Sequence, residues 1–184
     1  MQHKDRPHVL LEGTFLFIFG NGTNIKMDLY LVRHGEAYSS EERFERPLNP
    51  RGQNEVLQIA SFLKNEHCQI DAIFHSEKLR AIQTAEIIAD TLGLNHKLKV
   101  LPTLDPDEDV FRLIGDIHEF MVNTLIVGHL PNLALLSSFI IKGNISTPSL
   151  SFLTATTACF EYKDEQWNLR WSVEPHSLRK TVQK

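Results

Sequence analysis

The sequence predicts an α/β fold, a three-layer α/β/α sandwich with a mostly parallel central sheet and a C-terminal β-hairpin at its edge. From Met27 onward, short apolar runs alternate with longer segments whose apolar residues recur at helical spacing. Such alternation is typical of a parallel sheet covered by helices on both faces. Near the carboxyl end, two strand-like runs, 156–162 and 167–173, flank a polar turn with no helix between them. That pattern predicts the hairpin.

Each element has its own signal. The predicted parallel strands are short apolar runs at 29–32, 70–74, 99–101 and 124–127. The first helix follows Asn49 and Pro50, a favoured N-cap residue and a favoured first helical residue. In all four predicted helices, apolar residues recur one turn apart and so mark the buried face. These residues are Val56, Ile59, Ala60 and Leu63; Ile82, Ala85, Ala89 and Leu92; Val110, Ile114, Ile117 and Met121; Leu133, Leu136 and Ile140.

Helix ends are predicted from capping residues. Ser76 is expected to cap the second helix, and Asp105 the third, where Glu108 would complete a capping box. The fourth helix is expected to start at Pro131. A glycine, at 93 and at 143, is expected to end the second and the fourth helix.

Length and composition favour a single domain and limit its partners. The chain has 184 residues, of which 42% are hydrophobic and 23% charged. We predict a domain over 27–176, an N-terminal extension over 1–26 and a basic tail over 177–184. The net charge of -4 disfavours a nucleic-acid partner held by broad phosphate neutralisation. The apolar run 9–19 contains Glu12 and falls short of the ~20 residues that span a bilayer, so we expect no membrane partner.

The cysteines and histidines indicate neither a disulfide framework nor a metal site. Cys68 and Cys159 are too few and too far apart for such patterns. They could be joined, but two buried thiols in a reducing compartment are favoured. The nine histidines contain no H-E-x-x-H pair, and His67 beside Cys68 is interpreted as a coincidence at a helix end. We expect no metal, no cofactor and a cytoplasmic protein.

Polar side chains follow three of the predicted strands. Arg33 and His34 follow the first strand, Arg80 lies early in the helix after the second, and His129 follows the fourth. Ligands of parallel sheets bind beyond the carboxyl ends of the strands, so these side chains are expected to converge. Arginine grips phosphate oxygens bidentately, and a neutral imidazole can attack phosphorus. The sequence therefore predicts a phosphoryl-transfer site, with one imidazole as the nucleophile and the other stabilising charge.

Three motifs surround these residues: LYLVRHGEA at 29–37, SEKLRAIQTA at 76–85 and VGHLPN at 127–132. Together they resemble the histidine phosphatase superfamily, the phosphoglycerate mutase-like proteins, over about 29–171. Within it the resemblance is closest to the small SixA-type phosphohistidine phosphatases. It implies that His34 is the nucleophile that becomes phosphorylated. The other catalytic residues, which form the phosphate pocket, would be Arg33, Arg80 and His129.

Three further residues are candidates for substrate contacts. Gly35 would let the backbone come close to a ligand, and Leu130 follows His129 directly in the third motif. Arg46 would be a peripheral substrate contact or a loop anchor. Alternatively, Arg46 only pairs with Glu42 or Glu45 in its own loop.

The spacing of the motifs bears on the substrate. Only 49 residues separate Arg80 from His129, enough for a strand, a helix and a further strand, so no large insertion would cap the site. An open site favours a phosphoryl group carried on a protein.

Candidate general acids are weak. They are Glu36, Asp105 and Asp107, together with the neighbouring Glu108 and Asp109. Asp105 is better explained as a helix cap and the others near it as acids at a helix N-terminus. Phosphohistidine tolerates a weak acid because imidazole, with a pKa near ~6.5, is a good leaving group.

The expected function is hydrolysis of phosphohistidine on a protein, through a phosphohistidine intermediate on the enzyme. The expected partner is a phosphorylated protein, for example a phosphohistidine-carrying domain; the oligomeric state is not predicted. Two alternatives stay open. One is a phosphatase for small phosphate monoesters, and the other is a phosphate-binding module without turnover.

Overall fold

The computed structural model describes residues 26–178. Its strands are β1 (Met27–Arg33), β2 (Ala72–His75), β3 (Leu98–Val100), β4 (Thr124–Gly128), β5 (Thr157–Lys163) and β6 (Gln166–Val173). Its α-helices are α1 (Pro50–Asn65), α2 (Leu79–Leu92), α3 (Val110–His118), α4 (Asn132–Lys142) and α5 (Pro175–Leu178), and short 3-10 turns span Asn95–Lys97 and Pro102–Leu104.

Over this part of the chain, the six strands form one sheet in the order β3-β2-β4-β1-β5-β6. The pairings β1 with β4, β2 with β4 and β2 with β3 are parallel. The hairpin of β5 and β6 is joined antiparallel to β1 and places β6 at the edge. The three-layer fold and the edge hairpin are confirmed. The sheet is mixed, so "mostly parallel" holds for the first four strands only.

The two faces of the sheet bury separate sets of apolar residues. Along β1, Tyr30 and Val32 point to the face covered by α1 and α2, whereas Leu29 and Leu31 point to the face covered by α3 and α4. All four side chains are at most 1% exposed. Successive residues of a strand point to opposite faces, so a strand buried on both sides is a continuous apolar run, as the sequence showed.

Helix α1 forms for the reasons that the sequence gives. The Asn49 side chain accepts a hydrogen bond from Gly52 N at 2.8 Å, and Pro50 is the first helical residue. The predicted buried face is completely enclosed: its members Val56, Ile59, Ala60 and Leu63 are all 0% exposed. Gly93 and Gly143, also as predicted, follow α2 and α4 in the left-handed conformation, each with φ of 72°.

Two predicted N-caps are wrong. Helix α2 begins only at Leu79, and the hydroxyl of Ser76 contacts His129 instead of capping the helix. Helix α3 begins at Val110 and is capped by Asp109, which accepts from Phe111 N at 2.9 Å. Asp105 lies five residues before this helix, beyond the reach of a cap side chain.

Two predictions about packing are also wrong. Met121 lies after the end of α3 and is 52% exposed, whereas Leu113 takes a place in the buried face. Leu178 falls within the predicted tail over 177–184, but it ends α5 and packs against the core beneath α1 and α2. Residues 1–25 and 179–184 lie outside the described part of the chain, so the predicted domain limits stay a prediction.

Three features of residues 26–178 bear on the sequence predictions about disulfides, membranes and metals. Both cysteines are free; Cys159 is buried as predicted, whereas Cys68 is only half-buried. In the range 26–178, no helix is long and apolar enough to cross a membrane. The same range contains no group of three His, Cys, Asp or Glu side chains that could hold a metal ion.

Candidate active site

The topology brings three strand ends together. In the sheet, β4 lies between β2 and β1, and all three run in the same direction. The register aligns Arg33 with Gly128 and His75 with Val127, and His34 N donates to Gly128 O at 3.2 Å. The residues that follow these strands therefore share one edge of the sheet, which is where the sequence placed the site.

His34 is held as a neutral imidazole. Its Nδ1 lies 2.7 Å from Gly35 O, and a carbonyl only accepts, so Nδ1 carries the proton. Nε2 therefore has the lone pair, and it accepts from Arg80 Nε at 3.3 Å. Burial, opposed by the Gly35 hydrogen bond and helped by the charges of nearby arginines, lowers the pKa of His34 to about 4. At neutral pH the imidazole is unprotonated at Nε2.

Two arginines supply positive charge beside it. Arg33 ends β1, and its Nη1 donates to Phe152 O at 2.7 Å, which fixes the guanidinium. Arg80 is the second residue of α2. Burial lowers the pKa of each guanidinium, and for Arg80 the charge of Arg46 lowers it further. Both groups stay charged, since an arginine pKa lies far above neutrality.

His129 lies against His34. Their ring centroids are 4.9 Å apart, and His129 is 2% exposed. Its Nε2 lies 2.6 Å from Ser76 Oγ, while its Nδ1 is buried without a hydrogen-bond partner among the described residues. Burial, followed by the effects of His34, Arg80, Lys78 and Arg33, lowers the pKa of His129 to about 2. This ring is also neutral at pH 7.

The site leaves buried nitrogens without acceptors. Within residues 26–178, Arg33 Nε has no hydrogen-bond partner, and neither does His129 Nδ1. Buried polar atoms of this kind call for a partner that completes them. An oxyanion would supply acceptors to such donors, together with the charge that two arginines attract. The arrangement fits the binding and transfer of a phosphoryl group.

Gly35 lets the loop between β1 and α1, called here the nucleophile loop after His34, pack closely against its neighbours. A Cβ at this position would lie 2.7 Å from Val56 Cγ2 and 2.9 Å from Gly52 O, so helix α1 is the neighbour that requires glycine. Its N–H donates to Thr84 Oγ1 at 3.0 Å, and its carbonyl accepts from His34. Helix α1 alone thus requires glycine at this position, and contact of Gly35 with a ligand stays a prediction.

Arg46 and Leu130 lie at the periphery. Arg46 Nε donates to Tyr38 O at 3.2 Å, and its charge lowers the pKa of both His34 and Arg80. Arg46 forms no ion pair with its loop neighbours Glu42 and Glu45 among the described residues, so it anchors the loop and faces the site. Leu130, next to His129, is 37% exposed at the rim.

The candidate acids have other partners. Asp105 Oδ2 lies 3.0 Å from Lys78 Nζ. Glu36 accepts from Asn49 Nδ2 at 2.7 Å and pairs with Arg51 at 3.3 Å. Asp107 is exposed. Near the site, Asp105 is the acid whose charge affects Arg80, and its carboxylate is paired with an ammonium group.

The site opens on a groove of about 570 Å³. The groove contains Arg80 at the phosphate site and Arg46 on the loop between β1 and α1. Phe44 on the same loop is 93% exposed. The remaining residues that line the groove are Glu45, Glu77, Lys78, Leu79 and Ile82. A groove beside the reacting atoms suits a substrate larger than a free phosphate ester.

Sequence reasoning missed two residues that support the site. Thr84 accepts from Gly35 N and donates to Arg80 O at 2.7 Å, which ties helix α2 to the nucleophile loop. It follows Arg80 by one helical turn on the same face, and this spacing could have revealed it. Ser76 contacts His129 across 53 residues of sequence, which no local pattern indicates.

The fold and these side chains define an α/β protein in which two histidines and two arginines meet at the carboxyl ends of the strands, an arrangement suited to a phosphoryl group. A family model for the histidine phosphatase superfamily (branch 1) matches residues 29–105. The chain is 31% identical over 160 residues, 83% of its length and 97% of the relative's, to the phosphohistidine phosphatase SixA of Escherichia coli. It also matches a 2,3-bisphosphoglycerate-dependent phosphoglycerate mutase of Nitrosomonas europaea, at 36% identity over 37% of the chain and 31% of that protein.

Among solved structures, the protein histidine phosphatase SixA complexed with tungstate superposes with a TM-score of 0.73. That match has 27% identity and covers 83% of this chain and 99% of the other. The chain belongs to the histidine phosphatase superfamily. It is an enzyme, a hydrolase of this superfamily, and the resemblance to its SixA-type members is confirmed.

Proposed function

We propose that the protein hydrolyses phosphohistidine on a protein substrate by way of a phosphohistidine intermediate on His34. The observation that carries this proposal is the state of His34. Its Nε2 carries no proton, its lone pair accepts a long hydrogen bond of 3.3 Å from Arg80 Nε, and its ring centroid lies 4.9 Å from that of His129. Such a nitrogen can attack phosphorus without first losing a proton.

The reaction then has two steps. In the first, His34 Nε2 forms a bond to phosphorus as the P–N bond of the substrate breaks, and the substrate's imidazole leaves with the bonding electrons. In the second, water attacks the phosphorus on His34, the P–Nε2 bond breaks and its electrons return to Nε2, and phosphate is released as the water gives up a proton to the solvent. Arg33, Arg80 and His129 stabilise the charge on the phosphoryl oxygens in both steps.

The environment of Asp105 favours phosphohistidine over an alkyl phosphate. An alkoxide leaving group needs a proton from a nearby acid, and Asp105, whose carboxylate is paired with Lys78, is poorly suited to give one. The imidazole of phosphohistidine leaves as a neutral ring once its second nitrogen is protonated. The solvent can supply this proton near neutral pH, because the ordinary pKa of imidazole is ~6.5. Phosphohistidine therefore needs less proton donation from the enzyme than an alkyl phosphate does.

Two further findings support a protein substrate and a phosphate-like ligand. The groove beside Arg80 is open and carries the exposed Phe44, as a docking surface for a macromolecule would. The Escherichia coli relative is a phosphohistidine phosphatase, and the solved SixA structure holds tungstate, a tetrahedral oxyanion.

The test is release of phosphate from a histidine-phosphorylated protein domain. Wild-type protein is compared with His34→Ala and with His96→Ala, whose histidine lies exposed in the 3-10 turn Asn95–Lys97. We expect turnover in wild type and His96→Ala, none in His34→Ala, and similar unfolding midpoints for all three. Rapid quenching of wild type should trap an acid-labile, base-stable phosphoryl group that His34→Ala cannot form.

A substrate panel separates this proposal from the alternatives. Phosphoserine and sugar phosphates should be hydrolysed far more slowly than the phosphohistidine domain. Equal rates on both classes would contradict the leaving-group argument and favour a phosphatase for small monoesters. Binding of the phosphorylated domain without any phosphoenzyme would favour a binding module.

A further inference from the structure

Ser76 occupies a position from which it can control His129. It follows β2, is 0% exposed, and places Oγ 2.6 Å from Nε2 of His129. No part of the phosphoryl-transfer chemistry described above uses this hydroxyl. It is also not the helix cap that its sequence position suggested, because α2 starts three residues later.

The hydrogen bonds of Ser76 favour one position for its hydroxyl proton. Its Oγ accepts from Lys78 N at 3.3 Å, and a backbone amide can only donate. Among the described residues, the contact that can accept the hydroxyl proton is His129 Nε2, and donation to it leaves this buried hydroxyl both donating and accepting. With Nε2 accepting, a neutral His129 must carry its own proton on Nδ1.

We propose that Ser76 is a positioning residue that holds neutral His129 in the Nδ1–H tautomer, so that His129 donates a hydrogen bond to an oxygen of the transferred phosphoryl group. This inference rests on the proposed function only for the identity of the phosphoryl donor. The opposite tautomer would turn a lone pair toward the phosphoryl oxygens and repel them.

Three observations agree with this assignment. His129 Nδ1 is buried and has no acceptor in the described part of the chain, as a donor reserved for a ligand would. The ring lies beside His34, where the phosphoryl group is transferred. Burial and nearby positive groups lower the pKa of His129, so the ring cannot supply a donor by becoming doubly protonated. Whether His129 can donate to a phosphoryl oxygen then depends on its single ring proton lying on Nδ1.

Nitrogen-15 NMR of the His129 ring tests the tautomer directly. The variants are Ser76→Ala, Ser76→Thr, which keeps the hydroxyl, and Ser137→Ala. Ser137 is a matched control because it is also 0% exposed but donates within α4, to Ala134 O at 2.8 Å. We expect Nδ1–H in wild type, Ser76→Thr and Ser137→Ala, and a mixture or the Nε2–H form in Ser76→Ala.

Function is measured in two ways on the same proteins. The affinity for tungstate should fall about 10-fold or more in Ser76→Ala, and kcat/KM on the phosphohistidine domain by about 10- to 100-fold, the usual effect of losing an orienting partner. Ser76→Thr should restore most of both losses, and Ser137→Ala should change neither.

Several outcomes would overturn the inference. They are an Nε2–H tautomer in wild type, a Ser76→Ala protein with unchanged tautomer, and a changed tautomer with unchanged tungstate affinity. A loss of activity without a tautomer change would assign Ser76 a purely structural role. The NMR and tungstate measurements use no phosphohistidine, so they remain decisive even if the proposed substrate proves wrong.

Discussion

At the scale of single residues, the site depends on where protons are held. His34 donates through Nδ1 to a backbone carbonyl, and this contact leaves Nε2 unprotonated, facing Arg80. His129 has the reverse arrangement, with Nε2 engaged and Nδ1 free. In our proposals these two chemically identical rings take different roles, one as the nucleophile and one as a donor, because different neighbours bind them.

The lowered histidine pKa values predict how stability depends on pH. The pKa of His34 is about 4 in the folded protein and ~6.5 in an unfolded chain, so the unfolded state binds a proton first as the pH falls. Its contribution to stability is complete above ~6.5 and is lost as the pH falls toward about 4. His129 acts in the same direction.

This prediction is tested by urea unfolding at pH 6 and pH 5 for wild type and His34→Asn, which cannot titrate there. Wild type should lose about 1 kcal/mol more of its free energy of unfolding over this interval than the variant does. Parallel losses in the two proteins would mean that His34 titrates normally.

At the scale of elements, the loop between β1 and α1 connects the nucleophile to the groove. It begins after His34, carries the exposed Phe44 and Arg46, and is anchored where Arg46 meets the Tyr38 carbonyl. A fully exposed phenylalanine beside a reaction site is expected to contact the substrate rather than to stabilise the fold.

Replacing Phe44 should separate protein substrates from small ones. We expect Phe44→Ser to lower kcat/KM on a phosphohistidine domain about tenfold, because an apolar contact is lost, and to leave the hydrolysis of phosphoramidate unchanged. Phe111→Ser is the control, because Phe111 is 57% exposed on α3. Equal effects of the two variants would exclude a specific role for Phe44.

The approach of α1 to the nucleophile loop makes a second prediction. A Cβ on Gly52 would lie 2.0 Å from Glu36 O, a backbone atom two residues after His34. Alanine normally stabilises a helix relative to glycine by up to ~1 kcal/mol. Here we expect Gly52→Ala to destabilise the protein by about 2 kcal/mol through overpacking and to reduce activity as well.

The control for Gly52 lies in α3. A Cβ on Gly115 meets nothing within 4 Å, so Gly115→Ala should stabilise the protein by roughly 0.5–1 kcal/mol without changing kcat/KM. Denaturant unfolding of both variants measures the difference. A stabilised Gly52→Ala protein would show that α1 can move away from Glu36.

At the scale of the whole molecule, strand order creates the site. The ends of β2, β4 and β1 are adjacent in the sheet, so residues that are 46 positions apart, such as His34 and Arg80, come within hydrogen-bonding distance. Apolar side chains on both faces of the sheet support these strands. The site therefore depends on the packing of the whole sheet within residues 26–178.

We predict that the body starting at Met27 folds and works alone. A protein lacking residues 1–26 loses the ion pair between Lys26 and Glu161, in which Lys26 is 65% exposed, and such a pair contributes little. We expect an unchanged unfolding midpoint within a few degrees and unchanged kcat/KM on phosphohistidine. A large loss of either would assign residues 1–26 to the domain.

The sequence by itself determined the alternation of strands and helices, the buried faces of most helices and the convergence of four polar side chains. Apolar periodicity reports burial directly, and parallel strands send their carboxyl ends to one edge. Only the tertiary structure decided the partners of Ser76, Asp105 and Leu178. A hydroxyl or carboxylate near a helix start can cap that helix or bind a distant group. The choice depends on which atoms the fold brings within about 3 Å, and His129 and Lys78 reach that distance only once the sheet is assembled.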